Sequence, residues 1–186
     1  VAQALEVAGA RVELTRDRDS VLAADGLVVP GVGAFTAVME QLNAVKGSEL
    51  IDRRLVAGKP VLGICVGLQV MFEHGVEHGI DTEGLGQWPG VVEKLEAPVL
   101  PHMGWNNVQA VPGTPLFAKG FDDAPQFYFL HSFYFDAKDK TDVAATARYG
   151  LDFDAVVSRG HIHGVQCHPE KSHHWGAQLL KNFAEL

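Results

Sequence analysis

Apolar residues fall in two textures along the first half of the chain. Short continuous apolar runs at 26–29 and 61–64 are the kind buried on both faces of a parallel sheet. Around them, apolar positions recur at helical spacing over 1–8, 34–42 and 48–57, with Gly9 and Gly58 as stop signals. Residues 11–14 read as a further strand, and a helical pattern follows from 66 to 73. Short strands between helices predict a parallel α/β sheet. From Gly84 the texture changes. Residues 91–95, 105–111, 126–135, 143–149, 155–158 and 164–167 read as strands, separated by turns rich in Gly, Pro and Asp. An amphipathic helix closes the chain at 175–186, with Leu179, Leu180 and Phe183 on one face. The expectation is an α/β sheet with an added, more antiparallel region, all within one domain over the 186 residues.

Charge narrows the function classes. Fifteen basic against 23 acidic residues give a net charge of -8. That argues against a general nucleic-acid binder or an adhesin for anionic membranes. No apolar run approaches the roughly 20 residues that span a bilayer. Two cysteines cannot make a disulfide framework. Nothing at the N-terminus reads as a secretory signal, so a reducing cytoplasm is the expected compartment. The first residue is Val1, inside a helical pattern, which leads to the expectation that residues upstream have been lost.

Gly63-Ile64-Cys65-Val66-Gly67 is the most informative stretch. It follows a buried strand and precedes a helical pattern, as the nucleophile elbow of α/β-hydrolases does with serine at the centre. The flanking glycines avoid clashes at a tight turn. The sulfur would sit at a helix N-terminus, where the macrodipole favours an anion. The amide of Val66 would face a developing oxyanion. The competing reading is a buried cysteine that packs as a small hydrophobe.

A thiol nucleophile wants a base, and the base an orienting group. Val165-Gln166-Cys167-His168-Pro169-Glu170 offers both. His168 ends a predicted strand, and Pro169 biases it to extended geometry. Glu170 can then hold the imidazole tautomer. With nine histidines in the chain, a satisfied surface histidine is the alternative. So is a metal cluster of His161, His163, Cys167 and His168, joined by His173 and His174. Strand alternation places His168 on the opposite face from the other three of the strand, and no metal-ligand spacing supports the cluster. Pro30-Gly31-Val32-Gly33 follows a strand and leads into a helix. It reads as an oxyanion-hole partner through the amides of Val32 or Gly33, as a phosphate turn of unusual spacing, or as a plain βα turn.

In this order, P-G-V-G at 30–33, G-I-C-V-G-L-Q at 63–69 and H-P-E-K-S at 168–172 resemble the class I, triad-type glutamine amidotransferases. The resemblance covers essentially the whole chain. It implies a flavodoxin-like three-layer sandwich and hydrolysis of glutamine to glutamate, with ammonia passed to a synthase and no metal or cofactor. It assigns the triad to Cys65, His168 and Glu170, and glutamine contacts to Gln69, Glu77, Ser132 and Phe133. Pro101-His102-Met103-Gly104-Trp105-Asn106 and the aromatic stretch at 127–134 look like the branch that serves imidazole glycerol phosphate synthases. That branch implies a (β/α)8-barrel cyclase as partner, with 101–106 on the shared surface. It also implies imidazole glycerol phosphate and aminoimidazole carboxamide ribonucleotide as products, and an oxyanion loop made productive by an occupied cyclase site. The family begins with a strand and a Y-G-x-G-N-type turn that this sequence does not contain. His173 and His174 also depart from the small or acidic residues usual after H-P-E-K-S.

Three other classes remain open on sequence alone. They are an amidotransferase for a different synthase, a stand-alone cysteine hydrolase or deglycase, and a non-catalytic interaction protein. The 101–106 segment, the H-P-E motif and the complete triad respectively speak against them.

Overall fold

In the computed structural model, which describes residues 1–121 and 124–186, the buried apolar runs lie side by side. The helices are α1 (Ala2–Val7), α2 (Arg18–Ala23), α3 (Phe35–Ala44), α4 (Gly47–Val56), α5 (Val66–Gln69) and α6 (His173–Ala184). The strands of the main sheet are β1 (Leu27–Gly31), β2 (Val61–Cys65), β7 (Gln109–Ala110), β10 (Val143–Tyr149), β11 (Leu151–Arg159) and β12 (Ile162–Val165). Their order is β1-β2-β12-β11-β10-β7. β1, β2 and β12 run parallel, and the remaining pairings are antiparallel. The antiparallel region thus extends the parallel sheet itself. Every residue of β2 is buried, as expected for a central parallel strand.

Side chains alternate across this sheet and meet helices on both faces. His163 of β12 faces Phe183 of α6, whereas the neighbouring Gly164 lies against Leu68 of α5. Two smaller sheets complete the fold. β3 (Phe72–Glu77), β4 (Ile80–Glu83), β5 (Trp88–Lys94) and β9 (Phe133–Phe135) form one, in the order β4-β3-β5-β9. β6 (His102–Asn107) and β8 (Gln126–His131) form an antiparallel ribbon. No helix among the described residues is long and apolar enough to cross a membrane.

Four expectations change. Residues 11–14 are not a strand; Arg11, Glu13 and Leu14 are exposed, and the segment has no pairing neighbour among the described residues. The helix expected over 66–73 stops at Gln69, because Val70, Met71 and Phe72 are wholly buried and Phe72 opens β3 against Trp88. The run 105–111 divides into β6 and β7. The run 126–135 breaks at Ser132, where the chain leaves the ribbon to join β5. Helix α2 was not legible as an amphipathic pattern. It is fixed instead by Asp17, whose carboxylate accepts the Ser20 amide at 2.9 Å as an N-cap.

Arg54 of α4 is fully buried, and its guanidinium donates to four carbonyls. These belong to Val21, Ala24, Asp25 and Pro60, at 2.8, 2.7, 3.0 and 3.2 Å. The fork closes the end of α2 onto the start of β2. Truncation to leucine takes this donor from the Val21, Ala24 and Asp25 carbonyls, while Pro60 keeps the Leu27 amide, so Arg54→Leu should destabilise the fold by about 3 kcal/mol in urea unfolding. A loss below about 0.5 kcal/mol would contradict the role given to this side chain.

Candidate active site

β2 delivers the nucleophile candidate. Cys65 ends the strand with φ +55° and ψ -116°, a left-handed region rare for a residue with a side chain, and α5 begins at the next residue. Close backbone approach enforces the turn. A Cβ on Gly63 would lie 2.7 Å from the Leu68 Cα, and one on Gly67 would collide with the Val29 carbonyl oxygen of β1. The glycines of the sequence motif are therefore required by packing against β1 and α5.

His168 caps a 3-10 turn at Pro169–Lys171 and is extended, at φ -104° and ψ 93°. Its Nδ1 donates to the Glu170 carboxylate at 2.8 Å, and the ring lies within hydrogen-bonding reach of the Cys65 thiol. The backbone is tied to the ribbon: His168 N donates to the Tyr128 carbonyl at 2.9 Å. The buried Ser172 hydroxyl donates to the His168 carbonyl at 2.6 Å and accepts the Tyr128 amide at 2.9 Å. Burial works against the imidazolium, but the hydrogen bonds to Cys65 and Glu170 and the charge on both raise His168 to about 9. Burial also opposes the Glu170 carboxylate, yet its hydrogen bond to His168 holds Glu170 below the ordinary value. The raised value belongs to the ring that faces a charged Cys65 sulfur and the Glu170 carboxylate, so the surroundings favour the state in which His168 has taken up the Cys65 proton.

A cleft of about 330 Å³ opens over these groups. It brings together Cys65, Val66, His168, Val32, Gly33, Gln69, Glu77, Ser132 and Phe133 from the sequence-derived set. Glu170 stands behind His168, outside the lining. Gly33 has φ +88°, and a Cβ on Gly31 would press on the Gly67 amide, so the 30–33 loop rests on the elbow. The Glu77 carboxylate accepts the Phe35 amide at 3.0 Å, at the start of α3. The Gln69 amide nitrogen donates to the Phe133 carbonyl at 3.1 Å. Pro101 and Lys171 also reach the lining.

The 101–106 segment divides by strand alternation. Met103 and Trp105 point outward, 64% and 46% exposed, and Trp105 stacks on His173 rather than entering the core. His102 points inward, stacked on Phe129 and Tyr149, and Asn106 turns back to hydrogen-bond His102 and the Arg148 carbonyl. His102 is buried and Asn106 half-buried. The sequence alone missed Gln166, His131 and Ser172, all buried around the site. All three lay in stretches that the sequence singles out, at 165–170, 127–134 and 168–172, but no local pattern marks them as site residues.

The family model described as glutamine amidotransferase class-I matches residues 1–186, and the chain belongs to that family. Among curated proteins, it is 53% identical to the imidazole glycerol phosphate synthase subunit HisH of Corynebacterium diphtheriae, over 99% of this chain and 91% of that one. It is 49% identical to the subunit of the same name from Mycobacterium bovis, over 98% and 89%. Among solved structures, a glutamine amidotransferase superposes with a TM-score of 0.74 at 17% identity, covering 99% of this chain and 92% of that one. The glutaminase domain of Trypanosoma brucei CTPS superposes at 0.65 with 15% identity, over 98% and 86%. These two establish the fold.

If Glu170 sustains the raised His168, then Glu170→Gln should lower the His168 titration midpoint by about one pH unit or more, followed by NMR of the imidazole. An unchanged midpoint would contradict the geometry. The sign has a stability consequence. His168, raised, stabilises the fold fully below its ordinary value near 6.5 and loses that contribution as pH rises through about 9. Glu170, lowered, contributes above its ordinary value and loses it as pH falls.

Proposed function

We propose that the chain is the glutaminase subunit of an imidazole glycerol phosphate synthase, a cytoplasmic enzyme of histidine biosynthesis, and acts as a single amidotransferase domain. The observation that carries the reading is the alignment of Cys65, His168 and Glu170 over one cleft, with the cysteine held at positive φ on a strand-to-helix elbow. The relatives' shared name supplies the choice of synthase.

The chemistry follows from the site. The Cys65 sulfur, its proton passed to His168, attacks the side-chain carbonyl of glutamine. The negative oxygen is met by the Val66 amide and one from Val32 or Gly33; losing one such donor costs about 3–4 kcal/mol of barrier. His168 gives its proton to the departing ammonia. The ring is then neutral and activates a water, which cleaves the γ-glutamyl thioester to glutamate and returns the thiol. Glu170 stays ionised and fixes the tautomer. Gln69, Glu77, Ser132 and Phe133 hold the amino-acid end of the substrate. The site needs no metal or cofactor for these steps.

Ammonia then has to reach a second active site. The ribbon β6–β8 presents Met103, Trp105 and Leu130 outward, with Val99 exposed near its start, and Pro101 and Leu130 continue into the cleft lining. An exposed apolar patch beside a site is a docking surface by its chemistry. Its occupant in this reading is the (β/α)8-barrel cyclase, giving a heterodimer in which ammonia crosses the interface.

Cys65→Ala should abolish glutamate release from glutamine in the presence of the cyclase and a ligand for its site, while circular dichroism stays that of the parent. Turnover near the parent's would overturn the assignment. Trp105→Ala should weaken cyclase binding by about 2 kcal/mol, measured by titration calorimetry. Unchanged affinity would remove the ribbon from the interface.

A further inference from the structure

Gln166 is fully buried and has no part in the chemistry above. The register places it: β12 pairs with β2 in parallel up to Val165 and Ile64, so the residues that follow are Gln166, just past the end of β12, and Cys65, the last of β2. Its amide nitrogen lies 3.7 Å from the Cys65 sulfur. We propose that Gln166 is a further catalytic residue, an amide donor that stabilises the Cys65 thiolate alongside His168. This rests on the reading of Cys65 as the nucleophile.

The orientation of the amide is dictated by its neighbours. The Phe133 carbonyl can only accept, and it takes Nδ1–H of His131 at 2.8 Å and Nε2–H of Gln69 at 3.1 Å. The Gln69 amide nitrogen therefore faces inward and spends its other hydrogen on Gln166 Oε1 at 3.0 Å. With its oxygen occupied, Gln166 must turn its NH2 toward the sulfur. The series continues outward. His131, carrying its hydrogen on Nδ1, accepts at Nε2 from His102 Nδ1 at 2.9 Å. His102 Nε2 in turn faces the Asn106 amide nitrogen at 3.3 Å. Burial pushes His102 and His131 down to about 4, so both rings are neutral at neutral pH and keep one tautomer each. Donors from His131 and Gln69 thus converge on the Phe133 carbonyl, and from Gln69 onward the remaining donors run through Gln166 to Cys65.

A donor at sulfur discriminates between the two states of the thiol. The neutral thiol finds an acceptor in the Leu130 carbonyl at 3.9 Å. The anion has no use for that oxygen, but it gains a charge-assisted bond from Gln166. Proton transfer from Cys65 to His168 moves the system from the first arrangement to the second, with no other atom exchanged.

The test reads the thiolate directly. The full chain, bound to the cyclase, is alkylated with iodoacetamide at pH 7, and peptide mapping separates Cys65 from the buried Cys167. Gln166→Met keeps the length and removes the donor, and Gln166→Asn withdraws the amide by one methylene. Both should slow Cys65 alkylation by about tenfold. Both should lower kcat for glutamine about as much and leave KM within about twofold. Gln166→Asn carries the test where the methionine variant loses its fold. Alkylation at or above the parent's rate in a folded variant overturns the proposal, since a purely structural role would loosen the site and expose the sulfur. Slowed alkylation supports the proposal even where the parent releases no glutamate, an outcome that would instead overturn the glutaminase reading.

Discussion

The structure depends on one close approach of backbones. The turn at Cys65 lies against β1, with Gly67 at the Val29 carbonyl and Gly63 beneath Leu68. No side chain fits at either glycine. This contact, with the parallel pairing of β2 between β1 and β12, over-determines a φ that costs of order 1–3 kcal/mol at a residue with a side chain. Within the turn the strain falls on Cys65, whose φ is +55°. The oxyanion-loop candidate, the helix start and the nucleophile are consequences of the same packing, because Gly31 rests on the Gly67 amide and α5 begins at Val66.

Around that turn the polar groups form two oppositely natured sets. On one side the surroundings of His168 and Glu170 favour the charged forms, because the hydrogen bonds and neighbouring charges exceed the cost of burial. On the other, His131, His102, Gln69 and Gln166 are neutral, each fixed in direction by the next. In the proposed mechanism the first set moves the proton, and the second holds the cleft in shape without adding charge to it. Fully satisfied polar chains of this kind specify a single arrangement of a site, because any one reversed amide leaves a buried donor or acceptor unpaired. The chain of neutral groups also begins at Asn106, on the ribbon whose outer face carries Trp105. The same two strands therefore meet the cleft on one side and solvent on the other.

Much of this was legible in the residues. The elbow, the His-Pro-Glu turn and the short buried strands are local patterns, and each has a backbone reason that sequence spacing records. What was not legible is long-range. Gln166 reaches Cys65 only through the register of β12 on β2, across 101 residues of chain. His131 and His102 become a pair only because the ribbon aligns them. The helical pattern at 66–73 was overridden by burial, since Val70 to Phe72 satisfies a sheet as readily as a helix when every face is covered. Residues 11–14 carry strand propensity, but a strand exists only beside a neighbour. Nothing in the helical pattern at 48–57 marks Arg54 as the residue buried beneath α2. Of the segment at 101–106, alternation alone separates the outward Met103 and Trp105 from the inward His102 and Asn106.

The central claim is that the strained turn makes Cys65 the residue that carries the substrate's acyl group. The most direct test is to quench the complex with acid during turnover of glutamine and to map the protein by mass spectrometry. The account predicts one γ-glutamyl group, found only on the peptide that contains Cys65. Glutamate accumulating with no adduct on that peptide, or with the adduct on Cys167 or elsewhere, would contradict it.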